Sequence, residues 1–226
     1  MTLPKIIYVM GMPGAGKGTQ AEMLSHDIGY HQFSTGNAFR NIALQDSELG
    51  RTVKGIIDSG MLTPPPLAAK VLIAAVEEYL ERGEFLVFDG TPRTLEEMDI
   101  INKHFEEKGY GKPLIIYLEV DKETMIERNS KRRLCLNVER EFPVSTEEER
   151  QKCEELGGTV GMRPDDEREK FTTRYNQFME LTYPVIEKYR SEHNGLFFLV
   201  DGMPETHRVH ATVMDVLRQF ELPKRV

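Results

Sequence analysis

Short apolar runs alternate along this chain with longer stretches of helical spacing. The apolar runs stand at 6–10, 85–88, 114–118 and 196–200, with a shorter candidate near 31–34. Between them, 17–28, 37–59, 67–82, 94–108, 121–132, 166–190 and 205–220 carry apolar residues at helical spacing. Nearly continuous apolar runs are strands covered on both faces, and strands alternating with helices build a parallel sheet. The pattern predicts an α/β fold, a doubly wound parallel sheet of about five strands with helices on both faces. Ligands of such sheets bind beyond the carboxyl ends of the strands.

Two stretches fit this core poorly. Residues 36–66 hold short helices that end on Ser59-Gly60 and Pro64-Pro65-Pro66, and 133–163 mix charge, glycine and both cysteines. The expected organisation is a core of 1–35, 67–132 and 164–226, interrupted by an insertion at 36–66 and a lobe at 133–163. Both interruptions fall on the ligand side, which suggests movable covers.

At 226 residues the chain is long enough for one such domain with its insertions. Hydrophobic residues at 39% and charged residues at 29% are ordinary for a soluble enzyme. No apolar stretch approaches the roughly 18 residues of a membrane span, and the N-terminus lacks the features of a secretory signal, so a cytoplasmic location is expected. A net charge of −8 argues against general affinity for nucleic acid or membrane surfaces, so an anionic ligand must meet a local cationic pocket. Cys135 and Cys153 supply no disulfide framework and point to a reducing compartment. The histidines (His26, His31, His104, His193, His207 and His210) show no ligand spacing and no catalytic partner.

The strongest chemical signal is Gly11-Met12-Pro13-Gly14-Ala15-Gly16-Lys17-Gly18-Thr19, set between the first apolar run and a helical stretch. A glycine loop there turns backbone N–H groups inward, and the helix N-terminus adds partial positive charge. A lysine at the end of the loop reaches the outer phosphates of a nucleotide. Gly18 stands where Ser or Thr usually follows that lysine, and Thr19 comes one position later.

Transfer of a phosphoryl group asks for two anions held in line, neutralised and shielded from water. Arginine suits this because its planar fork binds phosphate bidentately and stays charged. Arg40, Arg93, Arg128, Arg132, Arg163 and Arg174 are the candidates, each beside a recognisable segment.

Those segments resemble the adenylate kinase family from about residue 5 to about 215. The loop itself, Gly-x-Pro-Gly-x-Gly-Lys-Gly-Thr-Gln, is similar to that family's version. Ser34-Thr35-Gly36-Asn37-Ala38-Phe39-Arg40 resembles its Ser-Thr-Gly-Asp-x-x-Arg segment, and Asp89-Gly90-Thr91-Pro92-Arg93 its Asp-Gly-Phe-Pro-Arg motif. Arg128 through Arg133 resembles the approach to the family's lid, and Arg163-Pro164-Asp165-Asp166 the exit from it. Arg174 follows at the family's spacing, and Val200-Asp201-Gly202 resembles the segment over the ATP base.

The resemblance implies a nucleoside monophosphate kinase, in which 36–66 binds the monophosphate and 133–163 is the lid. Lys17, Arg93, Arg132, Arg163 and Arg174 would be catalytic. ATP would bind Gly14, Ala15, Gly16, Lys17, Gly18, Thr19, Arg128, Arg132, Phe142 and Met203. The monophosphate would bind Thr35, Arg40, Met61, Leu62, Thr63, Gly90, Arg93, Glu97, Arg163 and Arg174. Asp89 would hold the waters of Mg²⁺, the expected cofactor with ATP. Asp165 and Asp166 would orient lid arginines. ATP and a nucleoside monophosphate, AMP ahead of GMP, are the expected partners, with no nucleic acid, no membrane and a monomeric chain.

Departures cluster on the acceptor side. Thr91 replaces the usual aromatic, Asn37 the usual Asp, and Glu97 the Gln that reads the base. An ionised Glu only accepts hydrogen bonds, so it faces the adenine N1 lone pair badly and matches the guanine donors. Alternatively Glu97 is a solvated helix residue and backbone reads the base. A catalytically weak nucleotide-binding regulator and a small-metabolite kinase are the other readings. In the lid, Cys135 and Cys153 match the first members of the family's zinc-binding pairs, but Val138 and Leu156 replace the second members. Structural zinc needs a closed tetrahedral ligand set, so no structural metal is expected. Packing of Val138, Phe142 and Leu156 is the expected replacement, with a disulfide as the alternative under oxidising conditions.

Overall fold

The computed structural model describes residues 1–59, 61–138, 141–162, 168–193 and 195–221. Strand β1 (Ile6–Gly11) is buried at every position. After it come α1 (Lys17–Ile28), β2 (His31–Ser34), α2 (Thr35–Ala43), α3 (Glu48–Ser59) and α4 (Pro65–Glu81). The chain continues through β3 (Leu86–Asp89), α5 (Leu95–Glu107), β4 (Leu114–Glu119) and α6 (Lys122–Lys131). A small region holds β5 (Leu134–Leu136), β6 (Phe142–Pro143), α7 (Glu147–Glu155) and β7 (Thr159–Gly161). Last are α8 (Arg168–Gln177), a π-helical turn (Phe178–Thr182), α9 (Tyr183–Glu192), β8 (Phe197–Asp201) and α10 (Thr206–Leu217).

The main sheet has five parallel strands in the order β2-β3-β1-β4-β8, as the apolar runs predict. Alternate residues of β1 serve opposite layers. Ile7 and Val9 pack with Leu24 of α1 and Val213 of α10, while Ile6, Tyr8 and Met10 pack with Leu72, Phe105 and Ile186. A smaller cluster of Phe39, Val53 and Ala68 ties α2, α3 and α4 together.

Local chemistry sets the helix ends. Ser34, Thr94 and Asp121 accept from backbone N–H groups in the first turns of α2, α5 and α6. The expected helix over 37–59 is broken, because Ser47 Oγ accepts from Gly50 N at 2.9 Å and starts α3 anew. The expected helix over 166–190 runs through the π turn just before Pro184, whose ring removes a backbone donor.

The small region forms a three-stranded antiparallel sheet, β6-β5-β7, backed by α7. Glu147, Glu148 and Glu149 open α7, where Thr146 and Glu149 form a reciprocal capping box. Two expectations are corrected here. Cys135 and Cys153 are joined in a disulfide, so they are not free thiols and the cysteines no longer point to a reducing compartment. Leu156 is 56% exposed, so it takes no part in the apolar packing expected of it. Gly158 lies against both sulfurs and Val138, where a Cβ would collide. Gly158→Ala is therefore expected to destabilise this small region by about 1–3 kcal/mol. Limited proteolysis should then cut within 133–162 while the core resists; parent-like resistance would refute the packing argument. Among the described residues no helix is long and apolar enough to cross a membrane.

Candidate active site

The loop after β1 is shaped by glycines that no other residue can replace without strain. Gly14 and Gly16 have φ of +85° and +88°, and Ala15 N donates to Met12 O at 3.1 Å to close the turn. A Cβ on Gly14 would strike the Asn129 amide. Asn129 is 2% exposed and donates to Pro13 O (3.2 Å) and Met125 O (2.9 Å), binding the loop to α6. Lys17 Nζ donates 2.8 Å to Met12 O, so the lysine arches over its own loop. Burial lowers its pKa to about 7; Asp89 opposes that shift, and Arg93, Arg174 and Arg132 reinforce it.

This loop forms the floor of a cavity of about 870 Å³. Gly14, Gly16, Lys17, Gly18, Thr19, Asp89 and Gly90 line its centre. With β1 central in the sheet, Thr35, Arg40, Met61, Leu62, Thr63, Arg93 and Glu97 reach the cavity from segments that follow or join β2 and β3, and Arg128, Arg132 and Met203 from segments that follow β4 and β8, with Arg174 also present. The expected cationic pocket thus exists in an acidic protein. Ala15 and Phe142 are not brought into the lining. Ala15 is buried in the core, and the Phe142 ring lies under Lys152 at 5.2 Å. Arg163, Asp165 and Asp166 lie outside the described residues.

Each positioned group has a structural cause. Asp89 ends β3, and its Oδ2 accepts from Ser34 Oγ at 3.3 Å. A Cβ on Gly18 would stand 3.2 Å from that oxygen, which accounts for glycine beside the lysine. Thr35 is buried, and its hydroxyl has no hydrogen-bond partner among the described residues. Arg40 Nε pairs with Glu141 Oε2 at 2.9 Å, linking α2 to the small region. Arg128 donates to Gly202 O and Met203 O at 2.8 Å each, tying α6 to the loop after β8. The π turn places Thr182, whose Oγ1 donates 2.9 Å to Arg93 O.

Glu97 departs from both sequence expectations. It is neither solvated nor held ready for a base: it is 3% exposed, and its carboxylate accepts from Thr91 Oγ1 and Arg93 N. Sequence reasoning also passed over Asn129, Glu141, Gln32 (Nε2 to Gly18 O, 3.2 Å) and Thr182. Only Asn129 left a trace, as a polar residue four positions after Met125 on one helix face. None of the described histidines enters the cavity lining, and among the described residues no cluster of His, Cys, Asp or Glu could hold a metal.

A glycine loop at the carboxyl edge of a parallel sheet, ringed by arginines, defines a P-loop phosphotransferase. The family model described as Adenylate kinase matches residues 9–194. An adenylate kinase of Fervidobacterium nodosum is 35% identical over 220 residues, covering 95% of this chain and 98% of that protein. Adenylate kinases of Bacillus subtilis and Bacillus licheniformis are 34% and 33% identical, covering 93% of this chain and 97% of each relative. The chain belongs to the adenylate kinase family.

Proposed function

We propose that the enzyme reversibly transfers the γ-phosphoryl group of ATP to AMP, giving two ADP. The observation that carries this reading is one cavity lined by the Lys17 loop, which follows the central strand, and by arginines from segments after the strands on either side of it. At about 870 Å³ it lies toward the upper end of the range of ordinary ligand pockets. The loop amides of Gly14 to Thr19 hold the ATP phosphates, and Lys17 turns from Met12 O to the transferred group. Arg40, Arg93 and Thr35 hold the acceptor phosphate, with the buried Thr35 hydroxyl as a donor. Arg132 and Arg174, with Arg163, neutralise both phosphate chains. Arg128 and Met203 flank the ATP base, and Met61, Leu62 and Thr63 the acceptor base.

Asp89, set between Ser34 and Gly18, fits the hydration shell of the Mg²⁺ that accompanies ATP. When bound, that ion neutralises phosphate charge. The attacking oxygen is already ionised, so no general base is needed. In this reading 36–66 closes over AMP and 133–163 is the lid, which excludes water. The chain acts as a cytoplasmic monomer, and both cysteines of its disulfide are buried.

The test is phosphoryl transfer from Mg–ATP to AMP, GMP, CMP and UMP, with ATP hydrolysis as control. AMP is expected to be the preferred acceptor. ATP binding without transfer to any of them would overturn the enzymatic reading and leave a nucleotide-binding regulator.

The pair between Arg40 and Glu141 has a kinetic consequence. A lid carboxylate sits where the acceptor phosphate is to bind, so the two compete for Arg40. Glu141→Ala is expected to lower the KM for AMP by about threefold with kcat unchanged. A higher KM would show that Glu141 supports the site instead of competing for it.

A further inference from the structure

Two of the three substitutions that set the acceptor side apart from its family, Thr91 and Glu97, meet in one buried hydrogen bond. We propose that Thr91 and Glu97 act as a single device that positions Arg93, and that Glu97 does not read the acceptor base. The proposal rests on the reading of Arg93 as a ligand of the acceptor phosphate.

Thr91 is 0% exposed, and its Oγ1 donates to Glu97 Oε1 at 2.6 Å. The other carboxylate oxygen, Oε2, accepts from the backbone N–H of Arg93 at 2.8 Å. A buried carboxylate is stable only when donors satisfy it, and here each oxygen has one. An aromatic at 91 would remove the hydroxyl donor. A Gln at 97 could keep its oxygen on Arg93 N only by donating its N–H₂ to Thr91 Oγ1, which reverses that bond, removes its charge and leaves the Thr91 hydroxyl hydrogen without an acceptor. Each substitution is therefore chemically matched to the other.

The device fixes Arg93 from several sides. Thr94 Oγ1 accepts from Glu97 N at 3.1 Å, which anchors the start of α5. Glu97 then holds Arg93 N, Thr182 holds Arg93 O at 2.9 Å, and Arg93 Nε donates to Gly90 O at 2.8 Å. The backbone and the guanidinium plane are set before a ligand arrives, which lowers the ordering required on binding. For Glu97 to turn toward a base it would have to leave two buried donors unpaired.

The test is steady-state kinetics at saturating Mg–ATP with AMP and with GMP, on the parent, Thr91→Val, Thr91→Ser, Glu97→Gln and the Thr91→Val/Glu97→Gln double variant. Thr91→Val should raise the KM for both acceptors by about tenfold, the size of one charge-assisted hydrogen bond. It should leave kcat and the KM for ATP near parent values. Thr91→Ser, which keeps the hydroxyl, should restore the KM. Glu97→Gln should raise both KM values by a common factor, and the double variant should be no worse than the poorer single variant.

A tenfold change in the AMP-to-GMP ratio of kcat/KM in Glu97→Gln would overturn the proposal in favour of base reading. So would parent kinetics in Thr91→Val, or additive effects in the double variant. AMP binding to the parent and to Thr91→Val is measured calorimetrically alongside. A parent that binds AMP but transfers nothing overturns only the enzymatic reading, and the KM comparison is then made on dissociation constants.

Discussion

Arg93→Ala is expected to lower kcat/KM for AMP by roughly 10³-fold while the KM for ATP stays within about twofold of the parent value. The guanidinium is set by Nε on Gly90 O, and its backbone is gripped at N by Glu97 and at O by Thr182. Alanine keeps those backbone bonds, so the loop stays in place and the loss reports on the side chain. That side chain supplies charge and a planar fork to the acceptor phosphate, and its charge also depresses the Lys17 pKa. Arg93→Lys restores the charge without the fork, so it should recover only part of the loss. Initial rates over an AMP–ATP concentration grid separate the two KM values. Near-normal turnover in Arg93→Ala would remove Arg93 from its proposed role.

The parallel sheet was legible because both its faces are covered, which leaves near-continuous apolar runs. The run at 6–10 became Ile6–Gly11, and 114–118 became Leu114–Glu119. The phosphate loop was legible because glycine, lysine, strand and helix occur together. Features set by contacts between distant positions were not. Cys135 and Cys153 are eighteen residues apart, and nothing in that spacing shows that their Cα atoms lie 5.5 Å apart across β5 and α7. Glu97 sits in the first turn of an amphipathic helix, where an acidic residue usually meets solvent and the helix dipole. Its burial depends on a loop that folds Thr91 and the Arg93 backbone over it, a placement with no periodic signature. The break at 44–47 and the π turn are likewise decisions of single residues, Ser47 and Pro184, inside otherwise helical patterns.

Lys17→Met is expected to reduce kcat by at least about 10³-fold and, at the same time, to stabilise the ligand-free fold. The first effect follows from the proposed place of Lys17 at the transferred group, the second from a buried amine whose pKa is lowered from 10.5 to about 7. Between those values the unfolded chain binds a proton at this position that the folded chain lacks, so stability rises with pH across the window. Lys17 is therefore most destabilising below about pH 7, and this effect fades toward pH 10.5. Methionine removes it, so the variant should melt above the parent at pH 6.5, with the gap narrowing by pH 9.

Phosphate anions favour the ammonium form, so ATP binding must raise the Lys17 pKa and take up a proton at pH 8 to 9. By linkage, parent affinity for ATP should weaken severalfold per pH unit above about 7, whereas Lys17→Met should lack this dependence. Calorimetric titrations in two buffers of different ionisation enthalpy read the proton uptake directly. Equal heats in both buffers at pH 8.5 would mean that Lys17 is already charged in the free enzyme, and the predicted stabilisation by methionine would fail with it.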